Sequence, residues 1–180
     1  VDEDAPMIWR GPMVMSAVTQ LLRDVDWGEL DVLVVDMPPG TGDTQLTLAQ
    51  SVPLAGAVIV STPQDLALID ARRGVAMFEK VEVPILGIVE NMSYFLCPNC
   101  GTRHDVFSHG GARAEAEKLG VPFLGEVPLT MAIREGSDGG KPVVVADPDG
   151  AHARIYRDIA AKVHAALGGA GFAMPKIVIE

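Results

Sequence analysis

The sequence predicts an α/β fold, a mostly parallel sheet with helices on both faces, and three observations point to it. Short runs rich in Val, Ile and Leu recur along the chain, apolar nearly throughout, as strands covered on both faces must be. Segments with helical spacing separate these runs, and that alternation implies right-handed crossovers between parallel neighbours. Apolar residues make up 48% of the chain but aromatic residues only 5%, which favours aliphatic α/β packing over an aromatic-rich β-sandwich. A length of 180 residues fits a single domain, residues 1–180, with room for a proper core.

The elements follow in order. Met13, Ala17, Val18, Leu21, Leu22 and Val25 fall on one stripe and predict a helix over 12–25. The first strand is expected at 31–37, ending on the Pro38-Pro39-Gly40 corner. A helix over 43–52 would start at Asp43 or Thr44. The second strand, 56–61, ends at Thr62-Pro63, and the longest helix, 64–81, opens on Gln64 or Asp65. Strands at 84–91 and 123–127 flank a helix over 111–119 that stops at Gly120. The last helix, 151–167, ends at Gly168-Gly169. Residues 94–110 break this rhythm and read as a small protruding insert carrying both cysteines.

Composition narrows the function classes. A net charge of −10 argues against a nucleic-acid backbone or an anionic membrane as the main partner. No apolar stretch approaches the roughly 18 residues of a membrane span. The opening VDEDAPMIW has neither a basic leader nor a signal-type apolar region, so a cytoplasmic location is expected. Its mid-domain character leads us to expect a chain truncated at its N-terminus. Two cysteines three positions apart are no secreted disulfide framework; they point to metal or redox chemistry.

Three places carry chemistry. Asp36 ends its apolar run where open α/β sheets place ligands. Behind it, Gly40 and Gly42 let backbone amides approach an anion, and Asp43 is placed to cap a helix or orient water at a phosphate. Yet no G-x-x-x-x-G-K-[ST] occurs in the sequence. Asn91 closes the GIVEN strand with a carboxamide suited to a purine edge, with Pro128 and Leu129 as apolar walls. Cys97-Pro98-Asn99-Cys100-Gly101 forms a knuckle that points both sulfurs one way. A redox dithiol would open a helix, which Gly101-Thr102 disfavours. A zinc site with His104 and His109, or a cluster shared between two subunits, are the other readings. Lys141, in its Gly-rich turn, reads as a solvated charge, and Met7, Met13 and Met15 as packing.

Together, MIWRGPM, DVLVVDMPPGTGD, STPQDLALIDARRG, GIVENMSYFLCPNCG, VFSHGGA, LGEVPL and DGGKPVV closely resemble the Mrp/ApbC family. These are deviant-Walker P-loop ATPases that carry iron–sulfur clusters, related to MinD, ParA and the nitrogenase iron protein. The resemblance runs from about Pro6 to the C-terminal PKIVIE. It implies a P-loop NTPase fold lacking its first strand and P-loop, with Asp36 as the acid near Mg2+ and Gly40 as the γ-phosphate sensor. It further implies that Asn91 reads adenine and that Cys97 and Cys100 bind a [4Fe–4S] cluster bridging a homodimer, destined for apo iron–sulfur proteins. His104 and His109 match no family role. ATP with Mg2+ is expected to be bound and hydrolysed by the full-length protein, and the 180 residues alone are expected to be inactive. Without the P-loop strand an exposed sheet edge is also expected, with self-association or a swap. The alternatives are a MinD/ParA-like spatial-organisation ATPase, or a binding module with structural zinc at the C-x-x-C.

Overall fold

The computed structural model describes residues 11–37, 49, 52 and 54–169, which fall into two units, 1–53 and 54–180. In the first unit, helix α1 (Gly11–Arg23) forms where expected but ends two residues before Val25. Ala17, Val18 and Leu22 are half-buried, but Met13, Leu21 and Val25 are exposed, so the stripe is covered only along its centre. The indole N–H of Trp27 donates to the Leu21 carbonyl at 3.0 Å, taking up one of the carbonyls the helix end leaves open. Residues 31–37 form no strand, which corrects the expectation. The run makes no ladder bonds among the described residues, and its side chains face solvent, Val34 to 87%. An apolar run becomes a buried strand only where neighbours satisfy its amides and cover its faces. The helix expected over 43–52 lies largely outside the described residues.

The second unit holds the sheet. Strands β1 (Ala57–Ser61), β2 (Ile85–Glu90) and β5 (Phe123–Glu126) are parallel, in the order β1-β2-β5. Helix α2 (Asp65–Lys80) returns the chain from β1 to β2. Helices α3 (Gly111–Leu119), α4 (Met131–Asp138), α5 (Val143–Ala146) and α6 (Ala151–Gly169) complete the unit. Between β2 and α3 the insert forms an antiparallel hairpin of β3 (Phe95–Leu96) and β4 (Arg103–His104).

Successive strand residues face opposite sides of a sheet, and that alternation decides where the helices lie. Glu90 faces the start of α3, whose Ala112 amide it accepts. Val89 faces the other way, into a cluster with Leu124 and Val127 that α6 covers through Ile155, Tyr156, Ile159 and Val163. Helices therefore lie on both faces of the parallel sheet, as expected. Coverage is incomplete on β1. Val60 pairs with Val89 and shares its face, yet is 61% exposed, while α6 packs on β5 and β2. Ile59, on the α2 side, is buried.

Three local devices fix β5 and its neighbours. Gly87 sits at φ 148°, and a Cβ there would meet both the Leu124 side chain and the Pro122 carbonyl at 2.6 Å. Gly120, at φ 67°, ends α3 in a Schellman turn, with Val121 N–H donating to the Ala116 carbonyl at 3.0 Å. Lys162 reaches from α6 to donate to the Leu124 carbonyl at 2.6 Å, blunting the β5 edge. Helix α4, unanticipated from its short polar sequence, starts on Thr130, whose hydroxyl accepts the Ile133 amide at 3.3 Å. Among the described residues no helix is long and apolar enough to cross a membrane.

Candidate functional site

The C-terminal ends of the three strands are tied into one edge. Asn91 N–H donates to the Ser61 carbonyl at 2.7 Å, Val127 N–H to Glu90 at 2.8 Å, and Ser93 N–H to Val127 at 3.0 Å. This edge brings Asn91 and Pro128 onto adjacent strand ends, as open α/β sheets place ligand-facing residues. Pro128 is buried and Asn91 half-buried. The Asn91 side-chain oxygen accepts the N–H of Met92 at 2.9 Å, and Met92 is held at a left-handed φ of 53°. That bond orients the carboxamide, whose oxygen keeps a second lone pair beside its NH2 donors. Asp36 belongs to the first unit, exposed in the irregular run; Gly40 and Asp43 lie outside the described residues.

The cysteines occupy the turn of the β3–β4 hairpin. Cys97 N–H donates to the Thr102 carbonyl at 2.9 Å and Gly101 N–H to the Cys97 carbonyl at 2.8 Å, with Gly101 at φ 71°. Two strands of two residues are too short to hold themselves. They are pinned by a bridge from Phe95 to Leu129 and by Leu129 N–H donating to the Tyr94 carbonyl at 2.8 Å. Cys97 is half-buried and Cys100 exposed, and neither forms a disulfide. Hydrogen bonding to the Thr102 side chain, then to its backbone and to the Cys97 thiol, holds the Cys100 thiol below its ordinary range. Thiolate, not thiol, is the nucleophile and metal ligand of a cysteine.

The histidines do not join the thiols. His104 lies beside the Phe95 ring, with centroids 6.3 Å apart. His109 Nδ1 sits 3.1 Å from Ser93 Oγ, and both ring nitrogens lie within 3.1 Å of the Arg103 guanidinium. Among the described residues no three His, Cys, Asp or Glu side chains converge on a metal position. The C-x-x-C also opens no helix, as a redox dithiol would require.

Sequence reasoning missed the polar cluster beneath the hairpin. Glu90, with no exposed surface, accepts from Ser93 Oγ at 2.5 Å, Gly110 N–H at 3.0 Å and Ala112 N–H at 2.8 Å. The signal was an acid inside the apolar strand GIVEN, since acids are almost never fully buried unless partnered. The glycines at 110 and 111 were a second signal, for a backbone that approaches closely.

Comparison with known proteins agrees with this architecture. The family model of NUBPL iron-transfer P-loop NTPases, in the ParA group, matches residues 1–164. The chain is 61% identical over 163 residues to the Dictyostelium discoideum iron–sulfur cluster transfer protein NUBPL, covering 91% of this chain and 50% of that protein. It spans about half the length of the curated relatives it matches. Among solved structures, a nucleotide-binding protein from Archaeoglobus fulgidus in complex with ADP is 41% identical, with a TM-score of 0.66 over 76% of this chain and 55% of that one. The Pyrococcus furiosus cell division ATPase MinD, 22% identical with a TM-score of 0.62 over 87% and 59% of the two chains, shares the fold. The chain belongs to the family of NUBPL iron-transfer P-loop NTPases.

Proposed function

We propose that this chain serves in an iron–sulfur cluster carrier. Cys97 and Cys100 of two copies together hold a [4Fe–4S] cluster as cargo and pass it to apo iron–sulfur proteins. The observation that carries this reading is the thiol pair at the tip of a pinned hairpin, joined by no third ligand among the described residues. Such a cluster takes four protein ligands. One chain supplies two, so a homodimer completes the set. The lowered Cys100 pKa supplies thiolate for iron, and its exposure leaves the sulfur open to exchange with a recipient's thiolates.

ATP with Mg2+ is the proposed partner of the sheet edge in the whole protein. The Asn91 NH2 meets the purine and Pro128 walls the base, while Asp36, Gly40 and Asp43 serve the magnesium and terminal phosphate. The 180 residues hold no G-x-x-x-x-G-K-[ST] cradle for the phosphates and do not turn over ATP by themselves. A spatial-organisation ATPase of the MinD kind shares the fold, but the far higher identity is to cluster-transfer proteins. A zinc module is disfavoured by histidines already engaged with Phe95, Ser93 and Arg103.

Anaerobic reconstitution with ferrous iron and sulfide tests the proposal. A broad absorbance at about 400 nm, absent in Cys97→Ala, is the expected result for a thiolate-bound cluster. Stoichiometric zinc with no uptake of iron and sulfide would overturn it.

A further inference from the structure

Between the cysteine hairpin and β2 runs a continuous chain of polar contacts that no catalytic or nucleotide role uses. It starts at Glu90, the last residue of β2, buried and immediately before Asn91. Ser93 donates its only hydroxyl hydrogen to Glu90 at 2.5 Å, so its oxygen can only accept from His109, 3.1 Å away at Nδ1. Arg103 Nη2 is seated against the same ring, 2.9 Å from His109 Nδ1 and 3.1 Å from Nε2. Arg103 is the first residue of β4, three positions after Cys100. Its remaining faces are taken as well: Nε donates to Asp105 at 2.9 Å, and the guanidinium lies 4.3 Å over the Tyr94 ring. The hydrogen bond to Asp105 holds this guanidinium, charged at any working pH, in place.

We propose that Arg103 and His109 are positioning residues, a clasp that fixes the Cys97–Cys100 knuckle to the strand end presenting Asn91. The hairpin has two residues per strand and cannot set its own orientation. The Phe95–Leu129 bridge pins its first strand. The Arg103–His109 contact pins its second, through Ser93 and Glu90, to the buried end of β2. With both held, the thiols and Asn91 move as one body. The role as a clasp for cluster cargo rests on the carrier reading above; the mechanical coupling does not.

Residue-resolved hydrogen exchange on the metal-free chain tests the clasp. Its reporters are the Cys97 and Gly101 amides, which close the knuckle, with the Ile88 amide, bonded to the Pro122 carbonyl, as the control in the sheet. Arg103→Ala and His109→Ala are expected to speed exchange at Cys97 and Gly101 by about tenfold or more, with Ile88 unchanged. His109→Gln, which keeps a donor and an acceptor, is expected to restore most of the protection. In protein loaded to equal iron content, His109→Ala is expected to change the visible circular dichroism of the cluster. Unchanged exchange at the knuckle in both alanine variants would overturn the clasp. So would an equal rise at Ile88, which would mark a general loss of stability instead. Because exchange is read without metal, failure of wild-type reconstitution would sink the carrier reading and leave the exchange result standing.

Discussion

The carboxylate of Glu90 accepts the backbone N–H of Ala112 at 2.8 Å, so the last residue of β2 holds the first turn of α3. A helix start leaves amides without partners, and here a buried acid takes up two of the local ones, at Gly110 and Ala112. Replacing Glu90 with Ala strands those donors and the Ser93 hydroxyl in a site closed to water. The expected loss in chemical denaturation is about 3 kcal/mol, with Glu90→Gln costing less because one oxygen acceptor remains. A loss below half a kcal/mol for Glu90→Ala would mean the cluster is not a structural anchor.

Gly111 offers a test of opposite sign to ordinary propensity. In an exposed helix Gly→Ala gains up to ~1 kcal/mol. At Gly111 a Cβ would lie 2.8 Å from Leu68 Cδ1 and 2.9 Å from the Pro63 carbonyl, and the backbone atom cannot yield cheaply. Gly111→Ala is expected to destabilise by about 1–3 kcal/mol, read as a lower melting temperature. A rise would contradict the close packing of α3 on α2.

Cys100 should react as a partly activated thiol. Thr102 holds its pKa below the ordinary value, so the thiolate fraction near neutral pH exceeds that of a free cysteine. Thr102→Val removes the leading cause, raises the pKa and slows alkylation of Cys100 by iodoacetamide at pH 7 by roughly a few-fold. Well above the ordinary thiol pKa, where both are fully ionised, the wild type should lose this lead, since the thiolate of lower pKa is the weaker nucleophile. Equal rates at pH 7 would count against the Thr102 contact.

Glu115 predicts a pH-dependent increment of stability. Its carboxyl is held below the usual range, first by the 2.8 Å hydrogen bond from Lys118 and further by Arg72. A depressed folded-state pKa stabilises above the unfolded carboxylate value, and the increment is lost as pH falls through the folded value. Lys118→Met should therefore be less stable than the wild type at neutral pH, and the gap should close on acidification and shrink in high salt. A gap that widens toward low pH would reverse the assignment.

The strands at 57–61, 85–90 and 123–126, and the helices α2, α3 and α6, were legible because burial on a parallel sheet leaves a continuous aliphatic signature. The 31–37 run carries the same signature but makes no ladder among the described residues, since a sequence records what a strand can bury and not which groups it pairs with. Helix α4 was invisible because its length is short and its start depends on one threonine hydroxyl. In the site, the C-x-x-C and Asn91 could be read directly from residue type and position. The anchors Glu90, Ser93, Arg103 and His109 could not, because they meet across up to 16 positions of chain, through contacts that only the folded hairpin creates.

The central claim is that two chains share one cluster through Cys97 and Cys100. Native mass measurement of anaerobically reconstituted protein, with iron and sulfide assayed on the same sample, addresses it most directly. The expected result is a dimer carrying four iron and four sulfide, about two of each per chain, reverting to cluster-free protein in both Cys97→Ala and Cys100→Ala. A monomer holding a full cluster, or iron retained in the double alanine variant, would contradict it.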